Sequence, residues 1–156
     1  MNEPDDFDKR RHDRHDYREP VYFDFIYDFQ AKVEFESHSD GDGGAFRKRH
    51  CGVTRNVSTQ GLCFTADVEV SPHSVLDIHV YVQGRAAPVR LQGEARWVKL
   101  AAVDSDGKKR FDVGVHLTVI NNRPVQDTIH FDDKYRVYWS DVLESLLGEF
   151  RKYYQS

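Results

Sequence analysis

Three arginines near the start of the chain, Arg10, Arg14 and Arg18, recur at four-residue intervals, and a second polar constellation, Asn56-Val57-Ser58-Thr59-Gln60-Gly61, follows further along. A planar guanidinium makes two parallel charge-assisted hydrogen bonds to a phosphate or to the edge of a guanine, whereas lysine offers only a point charge. Two such groups separated by three residues on an unstructured segment reach opposite sides of one polyanion once the segment wraps around it. Asn56 carries an acceptor and donors for the polar edge of a base, and Ser58 adds a hydroxyl. Gly61 keeps the wall thin, by admitting a ligand close to the backbone or by taking a positive φ. These residue types suit recognition of an anionic nucleotide rather than the making or breaking of bonds.

The formal net charge of −4 argues against a general nucleic-acid binder, which neutralises many phosphates with a basic surface, so an anion site has to be local. Local excess exists between Lys9 and Arg18, and again at Arg47, Lys48, Arg49 and Arg55, of which Arg47-Lys48-Arg49 reads as a solvated hairpin flank. His12 and His15 with Asp13 and Asp16 lack a rigid frame, so no metal site is expected. Gly41-Asp42-Gly43-Gly44 lacks the lysine and following helix of a phosphate-binding loop and reads as a hairpin turn. Ser58 with His50 or His73 makes no recognisable nucleophile and base pair, and the chain is read as a non-enzyme with no catalytic residues.

The segments around these residues are strands. A chain of 156 residues fits one domain with appended terminal segments. Residues 1–19 are charged and aperiodic, a flexible arginine-rich segment. Residues 20–120 alternate in hydrophobicity, with one long strand or a bent pair from Val21 to Phe35, then strands at 51–57, 61–66, 75–82, 89–100 and 110–119. Hairpin-length connections and the absence of helical periodicity among them point to an antiparallel barrel or sandwich. A hairpin turning at Ser58-Thr59 places Cys63 opposite Thr54 and Cys51 opposite Ala66, and both cysteines read as small, partly buried hydrophobes with reduced thiols. Residues 121–156 comprise a polar connection, with a helical turn after Pro124, and an amphipathic helix. In that helix Trp139, Val142, Leu143, Leu146, Leu147, Phe150 and Tyr154 form the apolar stripe, with no evident cap at Ser140 or Ser145. No apolar run approaches the roughly 20 residues that span a bilayer. No secretion signal opens the chain, so a cytoplasmic location without membrane insertion is expected.

The chain resembles the PilZ family. Arg14-His15-Asp16-Tyr17-Arg18 and Asn56-Val57-Ser58-Thr59-Gln60-Gly61 match, in order, that family's Arg-x-x-x-Arg segment and (Asp/Asn)-x-Ser-x-x-Gly turn. Gly93-Glu94-Ala95-Arg96-Trp97-Val98 and Phe111-Asp112-Val113-Gly114-Val115-His116-Leu117 also resemble family strands. The resemblance implies a mainly β fold, a six-stranded antiparallel PilZ-like β-barrel with a C-terminal α-helix, that binds the second messenger cyclic di-GMP as ligand and signals to a downstream protein partner. It implies that Arg14 and Arg18 contact phosphate and guanine while Asn56, Ser58 and Gly61 line the guanine side. Arg10 with Arg14 satisfies the same spacing; Arg14 with Arg18 is favoured because Arg18 lies directly before the first strand, leaving Arg10 auxiliary. The two motifs stand further apart than is usual in the family, separated by an insertion around residues 37–46. Two other readings remain: a PilZ-like adaptor that acts only by protein contacts, and a small barrel binding single-stranded nucleic acid through Arg14, Arg18 and exposed aromatics.

Overall fold

The structure is a computed structural model that describes residues 25–38 and 48–148. Arg10, Arg14 and Arg18, the glycines at 41, 43 and 44, Arg47, Phe150 and Tyr154 lie outside the described residues.

Alternation of apolar and polar residues builds the strands, and the apolar set all turns to one side. In β2 (Lys32–Ser37) Val33 and Phe35 are buried; in β4 (Gly61–Ala66) Leu62, Phe64 and Ala66; in β5 (Val75–Tyr81) Leu76, Ile78 and Val80. The pattern continues in β6 (Val89–Val103) with Val89, Leu91 and Ala95, and in β7 (Lys109–Ile120) with Val113, Val115 and Leu117. Each such side chain contributes about 1.5–3 kcal/mol of burial. An apolar face is buried against another layer or by the sheet curling onto itself. Here the sheet curls: the hydrogen-bonded order β3-β2-β5-β6-β7-β4 is closed by pairing of β4 with β3 (His50–Val57), giving a six-stranded antiparallel barrel. Closure pairs the strand edges around the barrel itself.

Within the described part of the segment read as one long strand or a bent pair, a short β1 (Tyr27–Asp28) and β2 are separated by Phe29–Ala31. Thr54, wholly buried, holds that break. Its hydroxyl donates to Phe29 O (2.7 Å) and accepts from Ala31 N–H (2.8 Å), while Thr54 N–H donates to Ala31 O (2.9 Å).

The β3–β4 turn differs from the sequence reading. Val57 faces Leu62 and Cys63 faces Asn56, so the turn lies at Thr59-Gln60, with Ser58 N–H donating across it to Gly61 O (2.9 Å). Gly52, not Cys51, faces Ala66, and Cys51 is exposed, although both thiols are free. The reason is steric: with Gly61 opposite, the Ser58 side chain has room, since even a Cβ there would stand 3.0 Å from its Oγ.

After β7, Asn121 and Asn122 take positive φ (45° and 70°) in a two-residue turn to β8 (Arg123–Pro124), the left-handed geometry that asparagine tolerates. A 3-10 turn over Val125–Thr128 follows Pro124, as the sequence suggested. A second hairpin, β9 (His130–Asp132) with β10 (Val137–Trp139), was not anticipated. Trp139 therefore ends a strand rather than joining the helical stripe, and α1 spans Asp141–Leu147 within the described residues. Ser140 does cap it. The Ser140 hydroxyl accepts from Leu143 N–H and donates to Thr59 O (2.7 Å), a bond to the β3–β4 turn that local sequence cannot reveal. Val142, Leu143 and Leu146 with Trp139 close this mouth of the barrel, where Trp139 meets Tyr27 edge to face (5.7 Å, 75°) and donates to Glu144 (3.0 Å). No helix among the described residues is long and apolar enough to cross a membrane.

Thr54→Val keeps the shape but strips both hydroxyl bonds from the Phe29–Ala31 break. Urea unfolding is expected to show a loss of about 1–3 kcal/mol with an unchanged m-value.

Candidate functional site

Asn56 is turned outward by an irregularity in β3. Thr54 faces Phe64, yet Asn56, not Arg55, faces Cys63, so Arg55 is an extra residue in the ladder. Without it the two-residue period would point Asn56 into the core. Arg55 is held in place by Asp112 of β7, whose carboxylate takes the guanidinium (3.0 Å) and the Thr65 hydroxyl (2.7 Å). The same device recurs on β6. Ala95 is buried opposite Val115, Arg96 is the extra residue, and Trp97 emerges outward opposite Gly114.

The two bulges place Asn56, Cys63, Gly114 and Trp97 in one transverse row on the outer wall, each facing the next across adjacent strands. The row spans three strand spacings, about 14 Å, the scale of a nucleotide. Its middle is low because Gly114 has no side chain. The Trp97 indole packs over it, where a Cβ would meet ring atoms at 2.1–2.6 Å. Trp97 nonetheless remains 46% exposed.

Ser58 and Gly61 sit one step along the strands, and together with the row they line an open hollow of about 340 Å³ that also touches Ile26, Arg96 and His116. Among the described residues the Asn56 amide and the Ser58 hydroxyl have no hydrogen-bond partner. Gly61 is not at positive φ; its role is to leave space beside Ser58 Oγ. Of the six sequence-derived site residues, Asn56, Ser58 and Gly61 are thus brought together, whereas Arg10, Arg14 and Arg18 lie outside the described residues. Trp97, Gly114, Cys63 and Arg96 were missed as site residues. The one signal for Trp97 was its place in a strand similar to a family strand.

No family model matches the chain, and no curated protein does. Solved structures similar to it include the Bacillus subtilis inhibitor of motility MotI/DgrA, at 12% identity and a TM-score of 0.42, covering 67% of this chain and 46% of that one. They also include the PilZ domain of YcgR from Escherichia coli with c-di-GMP, at 11% identity and a TM-score of 0.49, covering 85% of this chain and 96% of that one. The chain thus spans about half the length of the Bacillus protein. Neither likeness assigns a ligand to this chain.

A second hollow, of about 220 Å³, lies on the β2-β5-β6 wall, lined by Glu34, Glu36, Asp77, Arg49 and Arg90. Arg49 is held by Glu36 (3.0 Å) and Glu34 (3.2 Å), and Glu34 also accepts from the Tyr81 hydroxyl (2.9 Å). The Tyr81 bond and Arg49 hold the Glu34 carboxyl below its ordinary range. In the first hollow, burial and then the Asp112 carboxylate push the Cys63 thiol up, which favours its neutral form.

Two outcomes check this geometry. Gly114→Ala is expected to lift the indole off its seat, raising acrylamide quenching of Trp97 emission, while wholly buried Trp139 stays shielded. A thiol reagent at pH 8 is expected to modify exposed Cys51 promptly and Cys63 only after denaturant is added.

Proposed function

We propose that the chain is a PilZ-type receptor for cyclic di-GMP, a binding module that signals to a protein partner. The observation that carries the reading is the convergence of the Asn56, Ser58 and Gly61 corner with the Trp97 platform in one outward hollow. Ile26 lines that same hollow and stands eight residues after Arg18 (26 − 18), an extended reach of up to about 28 Å. Arg18 is therefore within reach of the site along the chain. One guanine stacks on Trp97, the Asn56 amide and Ser58 hydroxyl read a base edge, and Arg14 and Arg18, with Arg10 auxiliary, clamp phosphate and guanine from above.

The energies require all of these parts. Two charge-assisted arginine contacts contribute about 3–6 kcal/mol together, and a micromolar complex needs about 8 kcal/mol. Ordering each residue of the arginine segment costs a further 1 kcal/mol or so. Stacking on an aromatic, about 1–3 kcal/mol per base, and the base-edge bonds have to add to the arginines, and only a few residues of the segment can be ordered at that cost. Ligand that orders the arginine segment over the barrel changes the surface a partner meets, a disorder-to-order switch.

Calorimetric titration of the full chain tests the reading. Cyclic di-GMP is expected to bind in the micromolar range, to quench Trp97 and to slow trypsin cleavage between Arg10 and Arg18. Arg18→Ala and Trp97→Ala are each expected to weaken it about tenfold to a hundredfold. No heat with cyclic di-GMP would leave the ligand-free adaptor; heat only with a short oligonucleotide, falling steeply with salt, would leave the nucleic-acid binder.

A further inference from the structure

β6 outlasts its partner β5. The last bonds along that edge join Ala95 N–H to Ser74 O (2.9 Å) and His73 N–H to Ala95 O (2.6 Å). From Arg96 to Val103 β6 pairs only with β7, so the other edge presents eight residues with no backbone partner among the described residues, about 26 Å of strand. The projecting arm is built, not loose. At its tip the Asp104 carboxylate accepts from Asp106 N–H (3.0 Å) and Lys108 N–H (2.8 Å), with Asp104 N–H donating to Lys108 O (2.9 Å).

One face of the arm carries Leu100, opposite Phe111, and Val103, opposite Lys109; Leu100 and Val103 are 50% and 53% exposed. The arm is also basic within an acidic protein. Residues 96–110 hold Arg96, Lys99, Lys108, Lys109 and Arg110 against Asp104 and Asp106, while the chain as a whole is at −4. Arg96 lies 3.6 Å from Glu94; the other four cations have no ion pair among the described residues.

We propose that the β6–β7 arm is a docking edge for a partner protein that adds an extended acidic strand along Arg96–Val103, its carboxylates alternating with apolar side chains. An open strand edge offers main-chain hydrogen bonds, and exposed side chains on alternate faces supply specificity. Charge complementarity selects acidic partners. It also rejects a second copy of this arm, whose like charges would be brought together. The bulges at Arg96 and Ala101 blunt the edge against unspecific pairing, so a matching strand is required. A membrane is disfavoured because Asp104 and Asp106 lead the tip, and a nucleic acid would leave the open backbone groups and Leu100 and Val103 unmatched. The arm needs no nucleotide for this role, so failure to bind cyclic di-GMP would leave the proposal untouched.

The test pans the full-length protein against a displayed random-peptide library and maps the enriched peptides by hydrogen exchange. The peptides are expected to alternate Asp or Glu with β-branched or aromatic residues and to protect amides of residues 96–103. They are expected to bind about tenfold more weakly to Lys108→Glu/Lys109→Glu/Arg110→Glu, a variant whose thermal midpoint matches the parent's. The proposal is overturned by an absence of enrichment, by peptides without acidic bias, or by protection of another surface. It is equally overturned if the arm instead pairs with a second copy in sedimentation, or binds phosphatidylserine vesicles or single-stranded DNA.

Discussion

One extra residue on each of two strands governs the outer wall of this barrel. Arg55 in β3 and Arg96 in β6 each break the two-residue period once, and each break turns the next side chain from the core to the surface. Because β3 and β6 flank the β4–β7 pair, the two reversals land on one row, with Asn56 at one end and Trp97 at the other. A regular ladder would instead bury an asparagine without a partner, at a cost of a few kcal/mol. The Arg55–Asp112–Thr65 cluster pins the first bulge to β7.

The hollow lies outside the barrel because the inside is full. Phe35, Phe64, Leu76, Ile78 and Leu117 are essentially without exposure, and a small barrel has no room for a ligand beside them. Surface binding on a flat sheet needs relief, and here the relief is subtractive. Gly114 and Cys63 lower the floor, while the indole and the Asn56 amide stand at its ends.

The helix at the barrel mouth is tied to the proposed site through one hydroxyl. Ser140 caps α1 and holds Thr59 O in the same turn that carries Ser58 and Gly61. Arg123 of β8 separately pairs with Asp141 at the start of the helix (2.7 Å).

The residues alone determined that the protein is strand-built, where five of the barrel strands run, and that Asn56, Ser58 and Gly61 belong together. These follow from alternation and from spacing within a single turn, which are local. Only the tertiary structure decided the Thr59-Gln60 turn, the Ser140 cap, the placement of Trp139 in β10 and the role of Trp97. The last three depend on partners elsewhere in the chain: Thr59 O takes the Ser140 hydroxyl, β9 pairs with Trp139, and Gly114 of β7 seats the indole. Where a bulge falls is fixed by pairing with the neighbouring strand, so the face on which a side chain emerges is settled there and not by its own sequence.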